Sequence, residues 1–174
     1  MLYILIILGI VGRLLPHPPN FAPVMALGLF AGCYLGWRRG AIVALAAMLI
    51  SNAIIGFYSW PIMLSVYGSM AAGGLIGGWL SRNNSLQRIA SGALAASLLF
   101  YLVTNFAVWA AGTMYPKTIE GLVACYVAAI PFFQNSLLAD LSHTAVFFGS
   151  YELAGPAVNH WLRQQFNLSK EARI

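Results

Sequence analysis

IASGALAASLLFYLVTNFAVWAAG, the stretch from Ile89 to Gly112, decides what kind of fold this chain adopts, because it contains no charged residue. As an α-helix with a rise of 1.5 Å per residue, the stretch would be about 36 Å long. The hydrocarbon core of a bilayer is about 30 Å thick. The stretch therefore predicts a helix that crosses a membrane.

Similar apolar runs lie on both sides of this stretch. They are Leu2 to Leu15, Phe21 to Gly36, Gly40 to Phe57 and Pro61 to Leu80, followed by a last run from Ile119 to Leu153. A spanning helix needs about 20 apolar residues, although roughly 17 can suffice. The first two runs are marginal by this measure. The pattern predicts an all-α, polytopic membrane bundle of about six transmembrane helices.

The last run is too long for one ordinary span, because as a single helix it would reach roughly 50 Å. Proline removes a backbone donor and interrupts the helical hydrogen bonds, so Pro131 is the natural point of division. We expect Ile119 to Ile130 to form a short partial or re-entrant helix and Phe132 to Leu153 to form the span. One kinked helix that emerges from the membrane is the alternative.

The composition excludes several classes of protein. Only 7% of the residues are charged and 60% are hydrophobic, which leaves too few charges to cover a soluble domain of this length. The net charge of +5 comes from basic residues at the ends of apolar runs, where they anchor helices, so we expect no nucleic-acid partner. Phosphate-binding loops and dinucleotide fingerprints are missing from the sequence. Transport driven by ATP would therefore require another polypeptide.

The basic residues are distributed unevenly between alternate loops. With six crossings and a cytoplasmic N-terminus, only Arg13 and Lys117 of the 9 basic residues fall outside. The inside residues are Arg38, Arg39, Arg82, Arg88, Arg163, Lys170 and Arg173. This asymmetry follows the positive-inside rule and predicts that both termini are cytoplasmic. We expect a transmembrane domain of residues 1–158 and a basic cytoplasmic tail of residues 159–174.

Polar side chains recur at one predicted depth near the outer face. Four amides fall in the outer parts of the third, fifth and sixth helices: Asn52, Asn105, Gln134 and Asn135. Arg13, His17, Trp60 and Trp109 lie in or near the loops on the same side. Polar groups that converge between aromatic walls are typical of a small-molecule site, so we predict an outward-facing cup that binds substrate. Hydrogen bonding between helices is the alternative use of each amide.

Asp140 and His143 are three residues apart and therefore share one face of a helix. A carboxylate beside an imidazole can relay protons, bind a metal or hold a charged substrate. Two ligands do not make a metal site, and no further cluster of His, Cys, Asp or Glu supplies the rest. We include both residues in the predicted substrate site and predict no metal, no cofactor and no catalytic residue. A buried pair that satisfies itself is the alternative.

Glycines recur at four-residue spacing in two of the predicted helices. They are Gly28, Gly32 and Gly36 in the second helix, and Gly73 with Gly77 and Gly74 with Gly78 in the fourth. Such spacing lets the backbones of membrane helices approach closely. Packing inside this bundle is the favoured interpretation, and a surface for a partner protein is the alternative.

Three segments carry a resemblance that covers almost the whole chain. They are RLLPHPPNFAPVMALGLFAG (Arg13 to Gly32), SNAIIGFYSW (Ser51 to Trp60) and TNFAVWAAGTMYPKTIEGLVACYVAAIPFFQNSLLADL (Thr104 to Leu141). They resemble an uncharacterised bacterial inner-membrane family that is grouped with the substrate-binding S components of energy-coupling factor transporters. The resemblance implies an S-component-like bundle of six helices that takes up a vitamin-like micronutrient from the outer side. It also implies a transmembrane coupling protein and two ATPases as partners, unless the component works alone.

The resemblance also suggests where a partner would dock. Many S components present an AxxxA motif near the cytoplasmic end of their first helix. Ala22 and Ala26 have this spacing but lie near the outer end of the second helix, so we do not assign them that role. Gly28, Gly32 and Gly36 lie closer to the inner side and are the predicted docking residues.

The leading hypothesis is a membrane-embedded binding and translocation subunit for a small metabolite, without enzymatic activity. In this hypothesis Asn52, Asn105, Asn135 and Asp140 orient the ligand, Trp60 and Trp109 form its walls, and the loop from Pro16 to Pro19 is a rim or lid. The alternative is a structural or assembly protein that binds partner helices through its glycine stripes.

Overall fold

The chain folds into a bundle of α-helices in a computed structural model that describes the backbone of residues 1–171 and the side chains of residues 1–155. The helices are α1 (Leu2–Leu14), α2 (Val24–Leu35), α3 (Trp37–Ile55), α4 (Trp60–Leu80), α5 (Leu86–Ala111) and α6 (Ile119–Glu171). No β-strand occurs between residues 1 and 171. The predicted all-α fold class is therefore confirmed.

Four of these helices are long and apolar enough to cross a membrane. They are α3, α4, α5 and the part of α6 from Ile119 to Gly155. Helices α1 and α2 are apolar but only about 20 Å and 18 Å long, because they have 13 and 12 residues. Short helices are accommodated where a bilayer thins locally. The structure thus fits a membrane protein, and the two runs that were marginal in the sequence form its two short helices.

Helix α6 differs from the prediction, because it continues through Pro131 without a break. The predicted division into a partial helix and a separate span is therefore wrong. Helix α5 holds α6 on both sides of the proline. The hydroxyl of Tyr101 donates to the carbonyl oxygen of Tyr126 at 2.7 Å, and the ring of Phe133 packs on Tyr101 with centroids 4.8 Å apart. Contacts of this kind from a neighbouring helix allow a membrane helix to tolerate proline.

The backbone of α6 also remains helical across the predicted boundary at residues 158 and 159. The side chains that define the predicted tail, among them Arg163 and Lys170, lie outside the described residues, as does residue 173 entirely. The assignment of this segment to the cytoplasm is therefore still a prediction.

Helix α2 lies in the centre of the bundle. Ten of its 12 residues are buried, and it packs against α3, α4 and α6. A helix that is apolar on every side, as α2 is, belongs in the interior of a protein. The helix begins after Pro23 and ends at Gly36, whose φ of 92° is available to glycine without strain.

Glycines bring α2, α3 and α4 into backbone contact at one point, which we call the glycine junction: Gly28 and Gly32 of α2, Gly40 of α3, and Gly74 and Gly77 of α4. A methyl group added to Gly40 would lie 2.6 Å from the Cα atom of Gly32. A methyl group on Gly77 would lie 2.9 Å from the same atom. The favoured interpretation, packing inside the bundle, is confirmed for Gly28, Gly32, Gly74 and Gly77, and Gly40 is a further member that was not predicted from the sequence. Docking through Gly28 and Gly32 is wrong, because both are buried by the chain's own helices, and Gly36 lies in the exposed turn before α3.

The connections between helices define two ends of the bundle. Residues 15–23, 56–59 and 112–118 join helices at the end that we call the loop end. Arg38, Arg39, Arg82 and Arg88 lie near the turns at the opposite end, which we call the arginine end. Arg38 and Arg88 each stack over a tryptophan ring there, with the guanidinium carbon 5.2 Å and 4.5 Å from the ring centroid. Tryptophan and arginine in this combination are typical of a membrane surface.

Candidate functional site

A cavity of about 310 Å³ opens between the helices toward the loop end. Its apolar walls come from α2, α3, α4 and α5: Val24, Met25, Met48, Val66, Met70 and Phe100. Its polar groups come from α1, α6 and two loops: Arg13, His17, Asn20, Tyr58, Ser136 and Asp140. Sites for small molecules have this size and this mixture of apolar wall and few polar groups. The cavity, which we call the main cavity, is therefore the candidate site.

Arg13 brings a cation to the main cavity from the last turn of α1. One of its terminal nitrogens, Nη1, lies 2.6 Å from the sulfur of Met48. A guanidinium has five N–H donors, and a thioether is a weak acceptor. The hydroxyls of Tyr58 and Tyr67 lie close enough to interact electrostatically with the guanidinium. Most of the hydrogen-bonding capacity of Arg13 thus remains for a group inside the cavity.

Asp140 brings a carboxyl group to the same cavity from the middle of α6. Only 5% of its surface is exposed, and the hydroxyl of Ser97 donates to its Oδ2 atom at 2.6 Å. Among the side chains of residues 1–155, no basic group forms an ion pair with it. A carboxylate that is removed from water at this depth is costly unless it is paired, so its presence in a cavity points to a function.

Tyr58 lines the main cavity from the α3–α4 loop. Burial raises the pKa of the Tyr58 hydroxyl, and the nearby Arg13 guanidinium opposes that shift. Asn52 lies behind this region, only 1% exposed, and its Nδ2 atom donates to the hydroxyl of Tyr67 at 3.0 Å. The structure therefore places Asn52 as a support for the tyrosines, outside the cavity lining.

The rim of the main cavity is formed by the proline-rich loop of residues 15–23. Asn20 lines the cavity with φ of 63°, a left-handed conformation that asparagine tolerates better than most residues. The side chain of Asn135 donates to the carbonyl oxygen of Pro19 at 3.1 Å. The ring of Phe21 meets the imidazole of His143 edge to face, with centroids 5.5 Å apart. Helix α6 thus holds this loop in place through two contacts.

A second cavity of about 270 Å³ lies between α5 and α6. It shares four lining residues with the main cavity, so the two form adjoining lobes of one space: Asn20, Val66, Phe100 and Ser136. Asn105 lines this second lobe, and its Nδ2 atom donates to the carbonyl oxygen of Tyr101 at 2.7 Å. The amide oxygen of Asn105 is then free to accept a hydrogen bond from a ligand, beside the polar groups of Asn20, Thr104 and Ser136 in the same lining.

The predicted site residues separate into three groups. Arg13, His17 and Asp140 line the main cavity, and Asn105 lines the second lobe. Asn52, Asn135 and His143 lie next to the cavities and hold their walls or rim. Trp60, Trp109 and Gln134 lie away from both cavities.

The residues of the third group have other surroundings. Trp60 is 67% exposed at the start of α4, and Gln134 is also exposed. The indole nitrogen of Trp109 donates to the carbonyl oxygen of Pro116 at 3.0 Å, and the ammonium of Lys117 lies 5.7 Å from its ring centroid. Trp109 thus fastens the α5–α6 loop, and the prediction of tryptophan walls does not fit the structure.

Asp140 and His143 do not form the predicted pair. The Nδ1 atom of His143 lies 2.7 Å from the carbonyl oxygen of Ala139, which it can engage only as a donor, while Asp140 turns toward Ser97 on α5. Among the described residues, no group of three His, Cys, Asp or Glu side chains could hold a metal ion. Ser97 is the polar partner that the sequence did not reveal, because serine in an apolar helix is common and carries no special pattern.

Comparison with known proteins places the chain without identifying its ligand. No curated protein and no solved structure matches it. One family model does, and it extends over residues 1–164. The chain therefore belongs to DUF6580, a family of unknown function.

Proposed function

We propose that this protein is a membrane-embedded binding and translocation subunit that captures a small metabolite at the loop end of its bundle. The observation that carries the proposal is the main cavity, in which Arg13 and Asp140 are both held inside an otherwise apolar helical bundle. Ionisable groups are rare inside membrane bundles because they are expensive there, and they mark paths or sites of polar substrates. A ligand would supply the polar partners that both side chains lack in the bundle.

The construction of the rim supports capture by this cavity. The loop of residues 15–23 lies over the space and contributes His17 and Asn20 to its lining. Asn135 and His143 hold the loop from α6, so a movement of α6 would move the rim as well. A rim that is tied to a wall of the site is suited to open and close around a bound molecule.

The direction of capture follows from the distribution of charge. We propose that the loop end faces outward and that both termini are cytoplasmic, because Arg38, Arg39, Arg82 and Arg88 lie at the opposite end. The resemblance to bacterial transport components makes the inner membrane the proposed location. Cysteine substitutions at Arg38 and Lys117 should be labelled from opposite sides of the membrane by an impermeant reagent, and labelling from the same side would contradict this orientation.

The source of energy is proposed from the same resemblance. The sequence lacks a phosphate-binding loop, so uptake against a gradient would rely on a transmembrane coupling protein and ATPase subunits. Such a partner would have to bind outside the glycine junction, whose surfaces are occupied by the chain's own helices. The same packing weakens the alternative of an assembly protein that binds partner helices through glycine stripes.

Capture is tested by the molecules that remain bound during purification. Purified wild-type protein should carry a small metabolite that is detected by mass spectrometry and that raises its melting temperature when it is added back. Asp140→Asn should lose the metabolite while keeping the size of the side chain. Glu120→Gln is the matched control, since it makes the same chemical change at an exposed position outside both cavities. Capture would be refuted if wild type and Asp140→Asn retained the same compounds as an unrelated membrane protein.

A further inference from the structure

We infer that the ligand is a zwitterion whose anionic group binds at Arg13 and whose cationic group binds at Asp140. This inference rests on the proposed function and adds the chemical class of the substrate to it. It follows from the positions of the two charged side chains in one cavity and from the partners that the bundle gives to each of them.

Arg13 is suited to bind an anion. Its guanidinium is half-buried, and its hydrogen-bonded contact among the described side chains is the thioether of Met48. The hydroxyls of Tyr58 and Tyr67 are neutral neighbours and do not balance the charge. A guanidinium presents a planar fork of donors that matches the two oxygens of a carboxylate. A ligand carboxylate in the main cavity would supply the acceptors that Met48 cannot.

Asp140 requires a cation or a strong donor. The hydroxyl of Ser97 satisfies part of one oxygen, and the residue is otherwise surrounded by a cavity with apolar walls. Breaking a buried ion pair is strongly destabilising because it leaves one charge without a partner, and Asp140 has no basic partner in residues 1–155. An ammonium group of a ligand would supply that charge together with up to three donors.

Arg13 and Asp140 do not neutralise each other, although they line the same cavity. Arg13 enters the cavity from the last turn of α1, and Asp140 enters it from α6, so the two charges come from different helices. A ligand with only an anionic group would leave Asp140 unpaired, and a cationic ligand would leave Arg13 unpaired. A molecule with an anionic group and a cationic group satisfies both side chains at once.

The apolar wall of the main cavity indicates what joins the two charges in the ligand. Three methionines, Met25, Met48 and Met70, line the cavity together with Phe100. Methionine is flexible and polarizable, and it adapts to apolar groups of different shape. We therefore expect an apolar segment between the anionic and cationic ends of the ligand.

Synthetic amino acids with separated charges test the inference directly. The probes are aminobutyrate, aminocaproate and aminocaprylate, in which the amino group is at the end of the chain, with caproate and hexylamine as the forms that carry one charge. At least one zwitterion should raise the melting temperature of the purified full-length protein and bind about tenfold or more tightly than caproate or hexylamine, because each charge-assisted contact contributes about a factor of ten.

Two substitutions assign the charges to their residues. Asp140→Asn should remove the preference for the zwitterion over caproate, and Arg13→Gln should remove the preference over hexylamine. Arg88→Gln and Glu120→Gln, which change charge away from both cavities, should leave both preferences intact. Retention of the wild-type size-exclusion profile and helical circular dichroism shows that each variant is folded.

The outcomes separate this inference from the proposed function. If caproate or hexylamine binds as tightly as the best zwitterion, the inference that the ligand is a zwitterion is wrong. The proposal that the protein captures a small metabolite would not be affected. A copurifying metabolite that carries only one of the two charges would lead to the same two conclusions. If no probe stabilises the protein and no metabolite copurifies, both proposals fail.

Discussion

Helices α2, α3 and α4 touch through their backbones near the arginine end of the bundle and meet through larger side chains near the loop end. Near the arginine end they meet at the glycine junction, where Gly40 lies against Gly32 and Gly74. Near the loop end the same three helices contribute Val24, Met48 and Met70 to the wall of the main cavity. The size of the side chains at each level therefore decides where the helix backbones are in contact and where a cavity remains between them.

The two halves of the bundle also differ in how they contribute to the free energy of folding. Glycine is a poor helix former, but at the junction it allows close packing between helices, which offsets that cost. The main cavity has a different cost, because Arg13 and Asp140 are held in it without an oppositely charged partner among the side chains of residues 1–155. Packing at the junction contributes stability and the groups in the cavity reduce it, as is common at functional sites. Substitutions in the two halves should therefore change stability in opposite directions.

The largest effect is expected at the glycine junction. Gly40→Ala places a methyl group 2.6 Å from the backbone of Gly32, so α2 and α3 must move apart. We expect a loss of about 2–3 kcal/mol of stability, the usual cost of overpacking an interior, measured as a lower melting temperature in detergent. Gly68→Ala is the matched control, because a methyl group on Gly68 of α4 meets no atom within 4 Å. Equal stability of the two variants would show that the junction is not close-packed.

The next largest effect is a gain in stability, which we expect from a substitution in the main cavity. Asp140→Asn keeps an acceptor for the hydroxyl of Ser97 and removes a buried carboxyl group. The ligand-free variant should be more stable than wild type by about 1–2 kcal/mol, since replacing an unpaired buried ionisable group reduces its desolvation cost. Thermal melting of ligand-free protein measures this gain.

Two measurements control the comparison at Asp140. Glu120→Gln, at an exposed position, should leave the melting temperature within experimental error of wild type. A ligand-free Asp140→Asn protein that melts below wild type would mean that the carboxyl group stabilises the fold, which would remove the argument that it is reserved for a ligand.

Most of the fold was predictable because apolar length alone specifies a membrane helix. The run from Ile89 to Gly112 corresponds to α5 at Leu86–Ala111 with small shifts at both ends. Pro131 was misjudged because the local cost of a proline is visible in the sequence, whereas the contacts from Tyr101 that hold the helix together exist only after α5 and α6 have packed.

The depth of site residues along their helices was predictable from the sequence, but the direction in which their side chains point was not. Depth along a helix follows from counting residues, so the sequence placed Arg13 and Asn105 on the side of the loop end. The direction of a side chain around the helix axis depends on which neighbours pack against it. Gln134 and Asn135 are adjacent in sequence, yet only Asn135 faces the rim loop. Charged residues predicted the cavity lining more reliably than amides did, because a charged side chain inside a bundle has to face a cavity or a partner.

The smallest effect distinguishes these two neighbouring amides. Asn135→Ala removes the hydrogen bond to the carbonyl oxygen of Pro19 and should cost about 1 kcal/mol, the usual net contribution of one such bond. The loss should be local, because it frees the rim loop of residues 15–23 and leaves the glycine junction untouched. Hydrogen exchange should therefore quicken at the rim-loop amides, and a bound ligand should dissociate about fivefold faster if the rim retains it.

Gln134→Ala is the control for this prediction, because Gln134 is exposed and does not line either cavity. Exchange and dissociation should both match wild type in that variant. If Asn135→Ala quickens exchange in the rim loop without changing dissociation of the ligand, then the loop is a structural connection and the ligand leaves by another route. If both rates change together, the hydrogen bond from Asn135 to the rim loop determines how long the cavity retains its ligand.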